Sequence, residues 1–220
     1  MSTELTELDI LYSPSRWSKR FPGDVVVEKH IELITKCSDE IRNELKSDLY
    51  VAYGTGKREV IDIYGTDLDE GGIYLSGHSA GGQLIAALFE RFIPSLPQED
   101  QSLFKAAFLL CGIYDLVPLI NTKTNILCRL NEQSAKIASP LHMRLSSAVE
   151  TIFYVVVAEH DSPAFVDSGK KMHEYLLSLG IGSNYVFIKN VDHFDVIEKL
   201  IEEDYELTRL IIDVIKKNSL

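Results

Sequence analysis

Basic residues are scarce in this chain. Its 220 residues hold 22 Lys and Arg against 33 Asp and Glu, a formal net charge of −11. Nucleic acids and anionic membrane surfaces are bound by clustered Lys and Arg, so neither is an expected partner. Cysteine is also sparse. Cys37, Cys111 and Cys128 are far apart and odd in number. That argues for reduced thiols in a cytoplasmic setting, against a disulfide framework or a zinc site. Cys111 sits in an apolar run and reads as a core residue. Long hydrophobic runs are missing. The longest, residues 106–113, is far shorter than a membrane span. The first seven residues are polar and acidic, unlike a signal or transit peptide. There are no internal repeats and no low-complexity segments.

What remains is enough for one sizeable core, and one domain over 1–220 is expected. Residues 24–47 space Val27, Ile31, Ile34, Ile41 and Leu45 as an amphipathic helix does. Two strands, 49–53 and 59–64, read as a hairpin around Gly54-Thr55-Gly56-Lys57. These make an N-terminal part, 1–64. From residue 72 strands and helices alternate. Strands are expected at 72–76, 105–111, 151–158 and 185–188. Helices are expected from about Gly82 to Phe92, over 163–179 between Pro163 and Gly180, and continuously over 194–217. The stretch 95–103 reads as loop, and 114–147 as irregular and partly helical. Strand–helix alternation implies an α/β fold with a largely parallel sheet.

The most informative residues are Gly77-His78-Ser79-Ala80-Gly81. They match G-x-S-x-G, the nucleophile elbow of α/β-hydrolases, and lie between an apolar strand and a helix as that elbow requires. A serine on such a turn is pushed out of the sheet with its hydroxyl free to attack. Gly77 and Gly81 are both expected to remove Cβ atoms that would clash there. The backbone N–H of Ala80 would face a developing oxyanion. Serine needs a base, and the base needs an orienting carboxylate, in the chain order Ser, acid, His. Asp115 and Asp161 each follow a predicted strand. Asp161 is preferred, because it follows its strand more closely and leaves a separate strand for the histidine. Asp115 reads as a turn or cap residue. His193, after the last strand, is the expected base. His30 and His173 fall inside predicted helices and read as surface residues. His160 reads as shaping the Asp161 loop, His142 as a pocket residue at most, and His78 as too close to Ser79 to act on it.

Several segments together resemble one family. Tyr12-Ser13-Pro14-Ser15-Arg16-Trp17, Val60-Ile61-Asp62-Ile63-Tyr64, the Gly-His-Ser-Ala-Gly elbow, Cys111-Gly112-Ile113-Tyr114-Asp115-Leu116, Glu159-His160-Asp161-Ser162 and Asp192-His193-Phe194-Asp195 are similar, in order, to the blocks of kynurenine formamidases (arylformamidases). The resemblance implies hydrolysis of N-formyl-L-kynurenine, a small aromatic formamide, to L-kynurenine and formate in tryptophan breakdown. It implies Ser79 as nucleophile, Asp161 as orienting acid and His193 as base and then acid. It also implies no metal, no organic cofactor, a cytoplasmic location and a homodimer. One departure is large. The family's His-Gly-Gly-x-Trp motif, whose backbone N–H groups complete the oxyanion hole, has no counterpart here. Only residues 65–71 separate Tyr64 from the elbow strand. Two strands and two helices are missing, on the order of 40 residues or more. Residues 65–71 could then join the second hairpin strand to the elbow strand as neighbours. The same triad would equally suit a general small-ester carboxylesterase. Without a complete oxyanion hole, the chain could also be a non-catalytic relative that only binds.

Overall fold

The computed structural model describes residues 4–45, 47–52, 55, 60–64, 72–146 and 150–218. The N-terminal part holds α1 (Glu7–Leu11), a 3₁₀ turn at Pro14–Trp17, α2 (Gly23–Glu44), β1 (Ser47–Ala52) and β2 (Val60–Tyr64). The remainder runs β3 (Ile73–His78), α3 (Ala80–Arg91), α4 (Gln98–Gln101), β4 (Phe104–Leu110), α5 (Asn125–Cys128) and α6 (Glu132–Ala138). It continues with β5 (Ile152–Ala158), α7 (Pro163–Ser178), β6 (Ser183–Ile188), α8 (Asp195–Glu198) and α9 (Glu206–Asn218). Among the described residues, no helix is long and apolar enough to cross a membrane.

Four strands form one parallel sheet in the order β3-β4-β5-β6. The period of two along a strand sorts its side chains onto two faces. Ala107 and Leu109 of β4 and Phe153 and Val155 of β5 point to one core. They meet Ile85, Ala86 and Phe89 of α3, and Met172 and Leu176 of α7. The alternate residues Ala106, Phe108, Leu110 and Val156 point to the other core, with Val196 of α8 and Leu207 and Val214 of α9. Both faces are covered, which is why β4 and β5 are near-continuous apolar runs. Aromatic pairs tighten each core. Phe89 meets Phe153 edge-on at 4.8 Å, and Phe108 stacks on Tyr154 at 4.9 Å between centroids.

Four expectations need correction. The last helix is not continuous. α8 ends in a 3₁₀ turn at Lys199–Ile201, and α9 begins only at Glu206. Tyr205 explains the break. It is buried in the second core and donates its hydroxyl to Val196 O at 3.2 Å, drawing the chain back over α8. The hairpin β1–β2 forms an antiparallel sheet of its own. Among the described residues β2 does not pair with β3, so β3 is an edge strand. Residues 65–71, which were expected to join the two, lie outside the described residues, as does most of the hairpin turn. The loop expected at 95–103 carries the short helix α4.

The fourth correction concerns the elbow glycines. A Cβ on Gly77 would lie 2.3 Å from Gly81 O and 2.8 Å from Ile85 Cδ1, so only glycine lets β3 approach α3 there. A Cβ on Gly81 would meet nothing within 4 Å. The expected clash exists at Gly77 alone. Gly77→Ala should therefore cost about 3 kcal/mol or more, at the upper end of overpacking penalties. Gly81→Ala should leave stability unchanged or raise it by up to about 1 kcal/mol, as alanine does in a helix. Urea unfolding of the two variants checks both; equal losses would show that the elbow is built differently.

Candidate active site

The parallel register carries Ser79, Asp161 and His193 to one edge of the sheet. All three follow the C-terminal ends of strands: β3, β5 and β6. Ser79 has φ 56° and ψ −117°, a conformation that L-residues rarely adopt. Such backbone costs about 1–3 kcal/mol and persists where neighbours enforce it. Here Ser79 N–H donates to Leu110 O at 2.9 Å, and Gly82 N–H donates to Ser79 O at 3.1 Å. Ala80 opens α3, so its N–H is one of the donors that a helix leaves without an internal acceptor.

The acid and base loops are laced together beyond the strands. Glu159 N–H donates to Ile188 O and His160 N–H to Val191 O, both at 2.9 Å, while Asn190 N–H reaches the Glu159 carboxylate at 2.7 Å. His160 thus shapes this loop through its backbone. Asp161 uses both oxygens. Oδ1 accepts from Ser162 N–H at 2.6 Å, and Oδ2 lies 2.7 Å from His193 Nδ1. The Asp161 and His193 side chains are only 1% and 4% exposed. A carboxylate can only accept, so His193 carries its proton on Nδ1 and has the Nε2 lone pair free. Ser79, Ala80 and His193 all line one cavity of about 600 Å³. Its other walls come from Tyr12 and Pro14 near the N-terminus, His30 on α2, Ile113 and Leu119 after β4, and Phe165 on α7. Asp115 does not line it. Asp115 Oδ1 accepts from Val117 N–H at 3.0 Å and lies 3.8 Å from His142, both side chains being well exposed. That is the turn role read from the sequence.

Cys111 is buried as expected, beside the pair. Its sulfur, one Asp161 oxygen and one His193 nitrogen lie within 4.8 Å of one another. Among the described residues this is the group with metal-ligand chemistry. Burial, and then the Asp161 charge, push the Cys111 thiol well above its ordinary range. It therefore stays protonated, while Asp161 and His193 hold each other. The arrangement is a hydrogen-bonded carboxylate–imidazole pair with a neutral thiol alongside.

Several residues around the base were not anticipated. His78 Nε2 lies 2.7 Å from His193 O, so it must donate to that carbonyl. Burial, the neighbouring His193 and then His30 press the His78 pKa down to about 3, against the bond to His193. Neutral His78 thus braces the base loop against the elbow. On the other side, Asp192 Oδ1 accepts the N–H groups of Phe194 and Asp195 at 2.9 Å, and Asp195 Oδ1 accepts Asp192 N–H. This reciprocal capping fixes the turn that presents His193. Arg20, from the segment before α2, clamps it. Arg20 Nε and Nη2 reach the two Asp192 oxygens at 2.9 and 3.0 Å, and Nη1 reaches Glu198 at 2.6 Å. Ser18 adds a bond to Asp192, and Ser162 Oγ donates to Leu11 O. The N-terminal strap therefore holds both loops. Asp192-x-x-Asp195 around His193 was a legible capping signal; Arg20 and His30 carried none, since their partners lie more than 160 residues away.

With this geometry in place, comparison with known proteins is informative. No family model matches the chain. A solved structure described as a candidate thioesterase from Silicibacter sp. superposes with a TM-score of 0.75 at 18% identity, covering 94% of this chain and 99% of that one. An esterase of the bacterial hormone-sensitive lipase family gives 0.51 at 21%, covering 70% of this chain and 56% of its own. The chain is an α/β-hydrolase in fold.

Its sequence relatives are more particular: the chain resembles kynurenine formamidases. The one from Danio rerio is 27% identical, covering 96% of this chain and 97% of its own length. The one from Drosophila melanogaster is 32% identical over 146 residues, 63% of this chain and 48% of that protein. The Danio rerio alignment spans 287 positions. At least 67 of them (287 against 220) have no counterpart here. With both ends covered, that shortfall is internal.

The charge cluster at the base loop sets a pH dependence. Burial alone would raise Asp192, but Arg20, Ser18 and two backbone N–H groups hold it at about 2. Burial, and then the Asp192 charge, raise Asp195 to about 6 despite Arg20. A carboxyl whose folded pKa is raised contributes stability below its unfolded pKa and loses it as pH rises through the folded value. Asp195 therefore destabilises the fold progressively from about pH 4 to pH 6, by on the order of 2–3 kcal/mol at 1.36 kcal/mol per unit. Asp195→Asn keeps an oxygen for Asp192 N–H and cannot ionise. Relative to the wild type, it should gain about that much stability between pH 4 and pH 7 in urea unfolding. A wild-type minus variant difference that does not vary with pH would refute the assignment.

Proposed function

We propose that this chain is a cytosolic serine hydrolase of the kynurenine formamidase type, acting on N-formyl-L-kynurenine. The observation that carries this reading is the buried Asp161–His193 hydrogen bond behind a cavity that also holds Ser79 on its strained elbow. Ser79 Oγ attacks the formyl carbon while His193 Nε2 takes its proton. The carbonyl oxygen becomes an oxyanion facing Ala80 N–H. The C–N bond then breaks, and the imidazolium of His193 returns the proton to the departing aryl amine, which leaves as L-kynurenine. Water, deprotonated by His193, attacks the formyl-serine, and formate departs as Ser79 regains its proton. Asp161 stays ionised and holds the imidazole in the required tautomer. The relatives' names support the substrate, and a largely apolar cavity suits an aryl group. The same machinery cleaves small aryl esters, which the esterase neighbours favour as a second activity.

A fluorophosphonate probe should label the wild type and not Ser79→Ala. Asp161→Asn should lower kcat by about 10⁴-fold, as loss of the tautomer-fixing carboxylate does. Asp115→Asn should change it less than about threefold, since that carboxylate only caps a turn. An unlabelled wild type would favour a non-catalytic binding protein. Comparable losses at the two aspartates would mean the wrong acid.

Turnover should be weak. Removal of one oxyanion-hole donor costs about 10²–10³-fold in kcat. Here the family's donor loop is absent, and Ala80 N–H acts without it. Inserting the His-Gly-Gly-x-Trp segment of a full-length relative between Glu70 and Gly71 should raise kcat on N-formylkynurenine by about 10²-fold or more. A wild type already as fast as that relative would show that another donor completes the hole.

A further inference from the structure

One cavity-lining imidazole belongs to a second imidazole–carboxylate pair that the mechanism above does not use. His30, on α2, lines the cavity together with Ser79 and His193. Its Nδ1 lies 2.8 Å from Glu198 Oε1, and the two side chains are 12% and 7% exposed. Glu198 is itself held by Arg20 at 2.6 Å. The ring packs against Phe194 at 5.0 Å and His78 at 6.4 Å between centroids. Its orientation is thus fixed by a carboxylate on one nitrogen and by two tilted ring contacts.

A carboxylate that takes Nδ1–H leaves Nε2 as the polar atom His30 can offer to the cavity. Among the described residues, no group is hydrogen-bonded to it. Cavities that bind small molecules are mostly apolar, with a few rigidly placed polar groups that orient the ligand. His30 has that rigidity, and no Lys or Arg is among the described residues lining the cavity. We propose that His30, anchored by Glu198, hydrogen-bonds through Nε2 to a polar substituent carried on the leaving-amine side of the substrate. His30 is then a specificity determinant: it separates amino-acid-bearing aryl formamides from plain ones. The inference rests on the hydrolase reading above for its substrate, but it can fail separately.

The test compares N-formyl-L-kynurenine with formanilide, which has the same scissile bond and no polar side chain. His30→Phe keeps the aromatic packing on Phe194 and removes both nitrogens; His30→Leu is the second variant. Loss of one good hydrogen bond predicts a roughly 10- to 100-fold fall in kcat/KM for N-formyl-L-kynurenine, mainly through KM. The preference for N-formyl-L-kynurenine over formanilide, as a ratio of kcat/KM values, should fall by that factor, because formanilide carries nothing for the anchor to hold. Equal losses on both substrates would overturn the proposal by showing a purely structural histidine. No loss on either substrate would also overturn it.

Calorimetric binding of L-kynurenine to Ser79→Ala protein gives a readout that needs no turnover. Affinity should fall roughly 10-fold or more when His30→Phe is added. If the wild type neither labels nor turns over while this binding still depends on His30, the hydrolase reading fails and the anchor stands. If the wild type labels and turns over while binding is indifferent to His30, the anchor fails and the hydrolase stands.

Discussion

Parallel pairing from β3 to β6 is the constraint on which the site depends. The pairs His78–Leu110, Leu110–Val156 and Ala158–Ile188 place the ends of four strands side by side. Chain segments leaving those ends emerge at one edge of the sheet, as ligand-binding loops do in open α/β sheets. Asp161 and His193, 32 residues apart in sequence, meet for that reason, and Ser79 lines the same cavity as His193. The two buried cores stiffen the arrangement, so the strained Ser79 backbone is held by the scaffold and by its bonds to Leu110 and from Gly82.

A second layer of organisation is electrostatic. Arg20 gathers Asp192, Asp195 and Glu198, three acids on the turn that presents His193 and the helix that follows. Pairs of this kind gain little net stability, because removing charges from water offsets their attraction. Their effect is positional: breaking one partner leaves an uncompensated buried charge, so the turn has one low-energy arrangement. Nearly every polar atom of the Asp192–Asp195 turn is engaged, and His78 adds a bond from the elbow to the His193 backbone. The N-terminal strap, far away in sequence, is therefore part of the active-site support and also a wall of the cavity.

Among the described residues β3 has no partner on its outer side, and an unpaired edge offers free backbone groups to other chains. The α3 residues Leu84 and Leu88 are exposed, as are Ile31, Ile34 and Ile41 of α2.

The α/β architecture, the succession of strands and helices along the chain and the elbow pattern at Ser79 were legible in the sequence, as were a histidine after β6 and an aspartate after β5, which the structure joins at 2.7 Å. These follow from local information: period-two and period-3.6 patterning, a five-residue turn motif and chain order. The turn role of Asp115 was legible for the same reason, since Tyr114-Asp115-Leu116 carries an ordinary turn signal and its Oδ1 accepts from Val117 N–H. Only the tertiary structure decided that Gly77 needs its missing Cβ and Gly81 does not. It alone showed that Tyr205 breaks the last helix, that Arg20 clamps the base loop, and that His30 is a cavity residue and not a surface one. Each of these depends on a neighbour brought in from elsewhere: a facing carbonyl, a buried hydroxyl's acceptor, or a carboxylate 168 residues away. Patterning along a chain records which face of an element is buried, but not which atoms it is buried against.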